Sequence, residues 1–392
     1  MNLSMPFNYS AITRPVWHID MPLLVSVLAL LSIGLVMVAS ASFSYAEHNY
    51  GNEFFFVKRH LIYLVIAGCA MGFAFLMPPT AWSDYSRLWM LLAIFLLLLV
   101  LVPGIGREVN GSRRWLSLGG MTLQVSELAK VATVVFLASY FDKRRENFGD
   151  DWRDWAKPLG VLSVPLLLLL MEPDFGSTVV LAATFMVMLF LTGTKFWHYL
   201  LLLFAGAALV YLVAEAAPYR VARLSTFLDP WSHRFDSGYQ LTQSLIAFGR
   251  GEWFGVGLGQ SVQKMLYLPE AHTDFVFAIF AEEFGFVGVL CLLGLYSMLV
   301  LRIFHLGKRA VAQEYWYGAF LLIGFGLLIS GQTFINLGVN AGLLPTKGLT
   351  LPFVSYGGSS LLVTCGMVGM MLRISHEMHA DTQVIRRVSR GS

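Results

Sequence analysis

Long apolar runs alternate with short polar segments along most of the chain. One helical crossing of a bilayer needs roughly 20 apolar residues, and fewer where the helix is packed inside a bundle. The pattern predicts about ten such helices, so both termini would lie on the same side. The predicted spans are 22–43, 61–78, 87–103, 127–141, 157–171, 176–192, 196–214, 275–301, 316–336 and 353–374.

The composition supports this pattern, because 57% of the residues are hydrophobic and 13% are charged. With a mean hydropathy of +0.66, these values exclude a water-soluble globule. We therefore predict an all-α, polytopic integral membrane protein. Its expected parts are a cytoplasmic tail over 1–21, a transmembrane domain over 22–376 with a long outer loop at 215–273, and a cytoplasmic tail over 377–392.

Lysine and arginine concentrate in loops that share a side with the termini, such as 143–145 and 302–309. The positive-inside rule therefore predicts that both termini are cytoplasmic. Further cations on the predicted outer side suggest an anionic ligand there. They are Lys58, Arg59, Arg107, Arg113, Arg114 and Lys347. The net charge of +3 is too small to indicate nucleic-acid binding.

Asp274 is the leading candidate for chemistry, because it lies where the polar outer loop becomes a long apolar helix. A carboxylate at a bilayer boundary is costly and usually functional, although an Asp in a first helical turn can also cap the helix. Counting about 100° per residue, small residues at 278, 281, 285 and 288 share its face and predict a tightly packed seam. Glu282 would be its polar neighbour, and Glu283 would pair with another helix.

Glu127 and Lys130 lie three residues apart on one predicted helix, close enough for an ion pair. The pair either neutralises itself or lines a polar cavity that holds a phosphate or a metal ion. Asp174, after a Pro, either caps the sixth helix or belongs to the same cavity. Arg113 and Arg114 either occupy a solvated loop or bind phosphate through their planar guanidinium groups.

Two further segments on the predicted outer side carry polar groups. The long loop contains Tyr239 and Gln243, and its length is typical of a lid or a binding element. Residues 355–360 open the last helix with two glycines between serines, which either bind an anion through exposed N–H groups or allow close packing.

The polar motifs of the chain, in their order, resemble those of the SEDS proteins, the shape, elongation, division and sporulation polymerases of bacterial cell-wall peptidoglycan. The matching segments are 110–119, 127–130, 172–176, 238–244, 268–275, 281–285 and 352–360. Segment 342–350 is similar to the division branch of that family. Val125 departs from the pattern, since the family commonly has proline there.

The resemblance implies a glycosyltransferase that polymerises lipid II, with Asp274 at the position of the essential aspartate and acting as general base. It also implies a divalent cation, Mg²⁺ or Mn²⁺, for which Glu127 and Asp174 are weak ligand candidates. The predicted substrate-binding residues are Arg107, Arg113, Arg114, Glu127, Lys130, Asp174, Tyr239, Gln243, His272, Glu282, Lys347, Ser355 and Ser359.

The same resemblance implies partners and a location. The expected partners are a class B penicillin-binding protein and the divisome proteins FtsQ, FtsL and FtsB, at the septum of the bacterial cytoplasmic membrane. Two other functions remain open. A lipid II flippase would use the same cavity without a catalytic base, and a non-catalytic scaffold would tolerate the loss of Asp274.

Overall fold

Helices form most of the described chain, which comprises residues 18–109, 112–118, 121–145, 148, 152–215, 226–346 and 348–391 of a computed structural model. The helices are α1 (Met21–Tyr50), α2 (Phe55–Leu76), α3 (Pro79–Asp84), α4 (Ser86–Leu101), α5 (Val125–Arg144), α6 (Arg153–Met171), α7 (Phe175–Leu191), α8 (Phe196–Glu215), α9 (Tyr239–Gly251), α10 (Val276–Ala312), α11 (Trp316–Asn340) and α12 (Gly358–Gly391). Each predicted span has a helix at its place.

Six of the described helices, α1, α2, α6, α10, α11 and α12, are long and apolar enough to cross a membrane, and α4, α7 and the start of α8 are shorter apolar helices. The chain is therefore a multi-pass membrane protein, while the number of crossings stays a prediction. α5 is longer than predicted and buries most of its residues, Glu127 and Lys130 among them.

The ends of α1 show how local chemistry sets helix boundaries. Asp20 caps its first turn by accepting a hydrogen bond from the Leu23 backbone N–H at 3.1 Å, and Gly51 ends it in the left-handed conformation. Asp20 also pairs with Arg302 of α10, with its two oxygens 3.0 and 2.5 Å from Nε and Nη2. One carboxylate thus starts α1 and attaches it to α10.

Three short strands between α4 and α5 were not predicted from the sequence. They are β1 (Gly106–Val109), β2 (Ser112–Leu118) and β3 (Met121–Gln124), and they form an antiparallel sheet in the order β1-β2-β3. Ser359 attaches β3 to α12, because its hydroxyl donates to the Thr122 carbonyl at 2.9 Å and accepts from the Gln124 N–H at 2.8 Å.

α10 breaks at Gly285, whose φ of 65° and ψ of −167° are not helical. The segment that follows α9 fills the break. The backbone N–H groups of Val256 and Gly257 donate to the carbonyls of Glu282 and Glu283, both at 3.0 Å. In the opposite direction, the N–H groups of residues 286 and 287 donate to the carbonyls of residues 252 and 253. The predicted seam along one continuous helix is therefore wrong beyond Gly285, since the break changes the angular position of every later residue.

The carboxylates of Glu282 and Glu283 attach the same segment through their side chains. Glu283 accepts from Ser40 of α1 at 2.6 Å and pairs with Lys264 at 2.8 Å, which confirms its predicted pairing with another helix. Glu282 accepts from the Ser261 hydroxyl and pairs with Arg250 at 3.0 Å.

We expect Gly285→Ala to destabilise the protein strongly. An added Cβ would lie 2.3 Å from the Gly255 nitrogen, and this region of φ and ψ is almost closed to other residues, at a strain of about 1–3 kcal/mol before any clash. The control is Gly294→Ala on the same helix, where a Cβ would meet no atom within 4 Å. Thermal unfolding in detergent should show a large fall in Tm for the first variant alone; equal Tm values would contradict the break.

Candidate active site

Asp274 lies in the turn immediately before α10, and its side chain is half-buried. The N-cap of α10 is Phe275, and no side chain caps that position, so Asp274 does not serve as the helix cap. Among the described residues, none donates a hydrogen bond to the Asp274 carboxylate. The carboxylate is thus left for another role.

Two asparagines of α11 hold the backbone of Asp274. The side-chain nitrogens of Asn336 and Asn340 each donate to the Asp274 carbonyl oxygen at 3.0 Å. Asn340 also accepts from the Ala278 N–H at 3.2 Å, and Asn336 donates to the Leu349 carbonyl at 2.6 Å. Both asparagines are almost fully buried.

The segment between α11 and α12 forms the opposite wall of this turn. A Cβ at Gly348 would lie 3.1 Å from the Asp274 Oδ2, so the backbone there passes directly beside the carboxylate. Ser355 donates to the Thr273 carbonyl at 2.5 Å and accepts from the Leu351 N–H at 2.8 Å. Ser355 therefore positions the turn from the side opposite α11.

His272 is buried in a cluster of rings rather than exposed toward a ligand. Its ring centroid lies 4.5 Å from that of Phe56, 5.3 Å from Tyr45 and 5.7 Å from Tyr356. Its carbonyl accepts the Tyr356 N–H at 2.9 Å. Burial lowers the pKa of His272, which favours its neutral form at physiological pH.

Arg114 on β2 joins the sheet to the turn between α6 and α7. Its Nε donates to the Glu172 carbonyl at 3.0 Å and its Nη2 to the Pro173 carbonyl at 2.6 Å. Asp174 caps α7 through its Oδ1, which accepts the Ser177 N–H at 3.2 Å. The guanidinium keeps further N–H donors for a ligand.

These groups interact electrostatically with Asp274. The pKa of Asp274 is raised to about 7, mainly by burial and also by Glu270 and Asp174, while Arg114 opposes this rise. Burial likewise raises the pKa of Glu172 to about 8, with Asp174 raising it and Arg114 lowering it. A carboxylate with such a pKa is suited to accept a proton near neutral pH.

Glu127 and Lys130 form the predicted ion pair, with 2.9 Å between Lys130 Nζ and Glu127 Oε1. Lys130 also donates to Gln332 Oε1 at 2.8 Å, and Gln332 Nε2 donates to the Thr350 carbonyl at 3.1 Å. The buried pair thus connects through α11 to the segment beside Asp274.

The other predicted site residues are exposed, half-buried or paired with other groups. Arg107 is exposed on β1, and Arg113 pairs with Glu108 at 2.9 Å. Tyr239 and Gln243 lie half-buried on α9, while Glu282 binds the segment that follows α9. Lys347 lies outside the described residues.

Three polar residues of α11 were not among the site residues predicted from the sequence: Gln332, Asn336 and Asn340. They are spaced four residues apart and therefore share one face of α11. Buried amides in an apolar helix are costly unless they are hydrogen-bonded, so this spacing was a usable signal of a polar contact inside the bundle.

Glu127 and Asp174, the predicted ligand candidates for a divalent cation, differ in how their oxygens are engaged. Glu127 has one oxygen held by Lys130, whereas Asp174 Oδ2 and both carboxylate oxygens of Glu172 are buried without a hydrogen-bond partner among the described residues. No group of three or more His, Cys, Asp and Glu in the described chain has the arrangement of a metal site. Two carboxylates would still suit Mg²⁺ or Mn²⁺ where substrate phosphate completes the coordination.

An apolar cavity of about 330 Å³ lies between α2, α4, α5 and α12. Phe73, Trp89, Leu128 and Leu362 are among the residues that line it. Its lining is suited to a hydrocarbon chain rather than to a polar group.

The sequence of this chain is similar to those of known proteins. The probable peptidoglycan glycosyltransferase FtsW of Saccharophagus degradans is 50% identical over 367 residues, covering 93% of this chain and 95% of its own length. The protein of the same name from Alcanivorax borkumensis is 52% identical over 360 residues, covering 92% of this chain and 94% of its own.

Solved structures give the same result. A chain from a peptidoglycan synthase complex, described as coordinating polymerization and crosslinking, superimposes with a TM-score of 0.77 and 30% identity over 92% of this chain and 98% of its own. The rod shape determining protein RodA of Thermus thermophilus superimposes with a TM-score of 0.68 and 28% identity, covering 92% and 98%.

The family model of the FtsW, RodA and SpoVE cell cycle proteins matches residues 21–380. With this match and with relatives about half identical over almost their whole length, the chain belongs to the FtsW/RodA/SpoVE family, the SEDS proteins.

Proposed function

We propose that this chain is a peptidoglycan glycosyltransferase that polymerises lipid II during bacterial cell division, with Asp274 as its general base. The observation that carries the proposal is the half-buried Asp274 carboxylate, free of protein donors in the described chain and within the electrostatic influence of Arg114. The names of the relatives and the synthase complex to which one solved neighbour belongs support the same reaction.

The reaction joins two lipid-linked saccharides in one inverting displacement. The 4-hydroxyl oxygen of an N-acetylglucosamine bonds to the anomeric carbon of an N-acetylmuramic acid, whose bond to undecaprenyl pyrophosphate breaks. Asp274 accepts the hydroxyl proton as the new bond forms. The electron pair leaves with the pyrophosphate, and Arg114 and Lys130, with Arg107, Arg113 and Lys347 as further candidates, supply positive charge.

The remaining predicted substrate residues have supporting roles in this proposal. Ser355 and His272 hold the turn of Asp274 through backbone carbonyls, and Ser359 holds the sheet that carries Arg114. Tyr239 and Gln243, half-buried on α9, are assigned contacts with the saccharide. The apolar cavity between α2, α4, α5 and α12 suits the polyprenyl chain.

A divalent cation, Mg²⁺ or Mn²⁺, belongs to the proposal, held by Glu172 and Asp174 rather than by Glu127. Their buried, unpartnered oxygens support this assignment, because a buried carboxylate without a partner is costly. When bound, such an ion neutralises charge that develops on the pyrophosphate.

We further propose that the protein acts in the cytoplasmic membrane at the division septum, with both termini in the cytoplasm. A class B penicillin-binding protein would crosslink the strands, in keeping with the synthase complex that contains one solved neighbour. FtsQ, FtsL and FtsB are the further expected partners.

Asp274→Asn and Asp274→Ala should each abolish polymer formation, because neither side chain can accept the hydroxyl proton. The loss should be at least about 10²-fold. The measurement is gel analysis of glycan strands made from labelled lipid II by the purified protein with its penicillin-binding partner. Asp236→Asn, an exposed aspartate before α9, is the matched control and should keep full activity.

The same assay separates the other functions. Equal polymer from the wild type and both Asp274 variants would exclude a catalytic role for this residue. No polymer from any protein, with transbilayer movement of lipid II intact, would identify a flippase.

The polymerisation rate should rise with pH through about 7 and then level off. A general base works in its ionised form, and the raised pKa of Asp274 keeps it protonated at lower pH. The measurement is kcat at saturating lipid II between about pH 5.5 and 8.5. A rate that stays constant across this range would contradict the assignment of Asp274 as the base.

Glu172→Gln should weaken the binding of Mn²⁺ at least about tenfold, since a neutral amide is a poorer ligand for a hard cation than a carboxylate. Mn²⁺ binding is measured by electron paramagnetic resonance in the presence of lipid II. Glu108→Gln, which changes an exposed carboxylate on β1, is the control. Equal affinity in both variants would remove Glu172 from the cation site.

A further inference from the structure

The side chain of Asn340 is inserted into the first turn of α10. In a regular helix the Asp274 carbonyl would accept the N–H of Ala278, four residues later. Here Asn340 Nδ2 donates to that carbonyl at 3.0 Å, and Asn340 Oδ1 accepts that N–H at 3.2 Å. One amide therefore replaces one helical hydrogen bond and separates the two backbone groups.

Asn336, one turn earlier on α11, adds a second donor to the same carbonyl. Its nitrogen also donates to the Leu349 carbonyl at 2.6 Å, next to Gly348, whose backbone lies beside the Asp274 carboxylate. The two asparagines are also bonded to each other, from Asn340 Nδ2 to the Asn336 carbonyl at 2.9 Å. Asn336 thus fixes the distance between the Asp274 turn and the wall facing it.

We propose that Asn336 and Asn340 are positioning residues for the Asp274 carboxylate, which they hold outside the helical path of α10 and against the backbone of residues 348 and 349. This inference rests on the proposed function, since it assumes that Asp274 is the base. In this proposal neither asparagine is assigned a contact with the substrate. Both act through the backbone of Asp274.

The energetic reason is that, among the described residues, the two amides together supply the hydrogen bonds to the Asp274 carbonyl, whereas the Ala278 N–H has a second acceptor, the Phe275 carbonyl at 3.0 Å. With the asparagines removed, the Asp274 carbonyl either stays unsatisfied in a buried site, at about 1–3 kcal/mol, or moves to bond Ala278 directly. That movement would extend α10 by one residue and redirect the carboxylate. A displacement of about 1 Å can reduce a catalysed rate about 10²-fold.

The charged groups facing Asp274 make this displacement measurable. Glu270 and Asp174 disfavour its ionised form, and Arg114 favours it. A carboxylate that leaves this buried setting should ionise at lower pH. A merely structural role for the asparagines would lower the amount of folded enzyme without changing the pH at which the rate rises.

The test uses Asn336→Leu and Asn340→Leu in the full chain with its partner, which remove the donors at similar side-chain volume. Thr333→Val is the matched control, because Thr333 is a buried residue of the same helix whose hydroxyl has no hydrogen-bond partner among the described residues. We expect kcat per folded enzyme to fall about 10- to 100-fold, KM to stay constant, and the acidic limb of the pH profile to move to lower pH.

Asp274→Asn, measured in parallel, separates the two proposals. An active Asp274→Asn would overturn the proposed function itself. If it is inactive, an acidic limb that does not move to lower pH in the asparagine variants overturns the positioning role, whatever the change in kcat. Should Asn336→Leu fail to fold, Asn340→Leu still decides, because the Asn336 donor to the same carbonyl is retained.

Discussion

The backbone carbonyl of Asp274 is the point on which the site depends. Next to a membrane-spanning helix, a carbonyl without a donor is costly, so the first turn of α10 would normally close on itself. Two buried amides from α11 take its place and leave Asp274 outside the helix. The catalytic candidate is thus fixed by its main chain, which leaves its side chain free of protein donors in the described part of the molecule.

The same face of α11 organises the rest of the site. Gln332 connects the Glu127–Lys130 pair to Thr350, and Asn336 connects the next part of that segment to Asp274. These contacts join α5, α10 and α11 to the 348–356 segment through buried hydrogen bonds. The cations and carboxylates are therefore held on rigid elements, as electrostatic stabilisation of a transition state requires.

Features that depend on nearby residues were predictable from the sequence. Hydropathy located the helices, angular counting paired Glu127 with Lys130, and the position of Asp274 before a long apolar helix indicated a candidate site. The motifs then indicated the family. Features that depend on distant partners were not predictable in this way. Asn336 has its partners at residues 274 and 349, and the sheet arises from strands too short to show a clear alternation.

The break in α10 was missed for a related reason, since helical periodicity carries no information about the backbone angles of one glycine. Its two sides are joined to residues 252–257 by four main-chain hydrogen bonds in a fixed register. Lengthening either segment by one residue would shift all four bonds together and would separate Glu282 and Glu283 from Arg250 and Lys264. Natural variation in this part of the chain should therefore conserve the length of these segments more strictly than the identity of their residues.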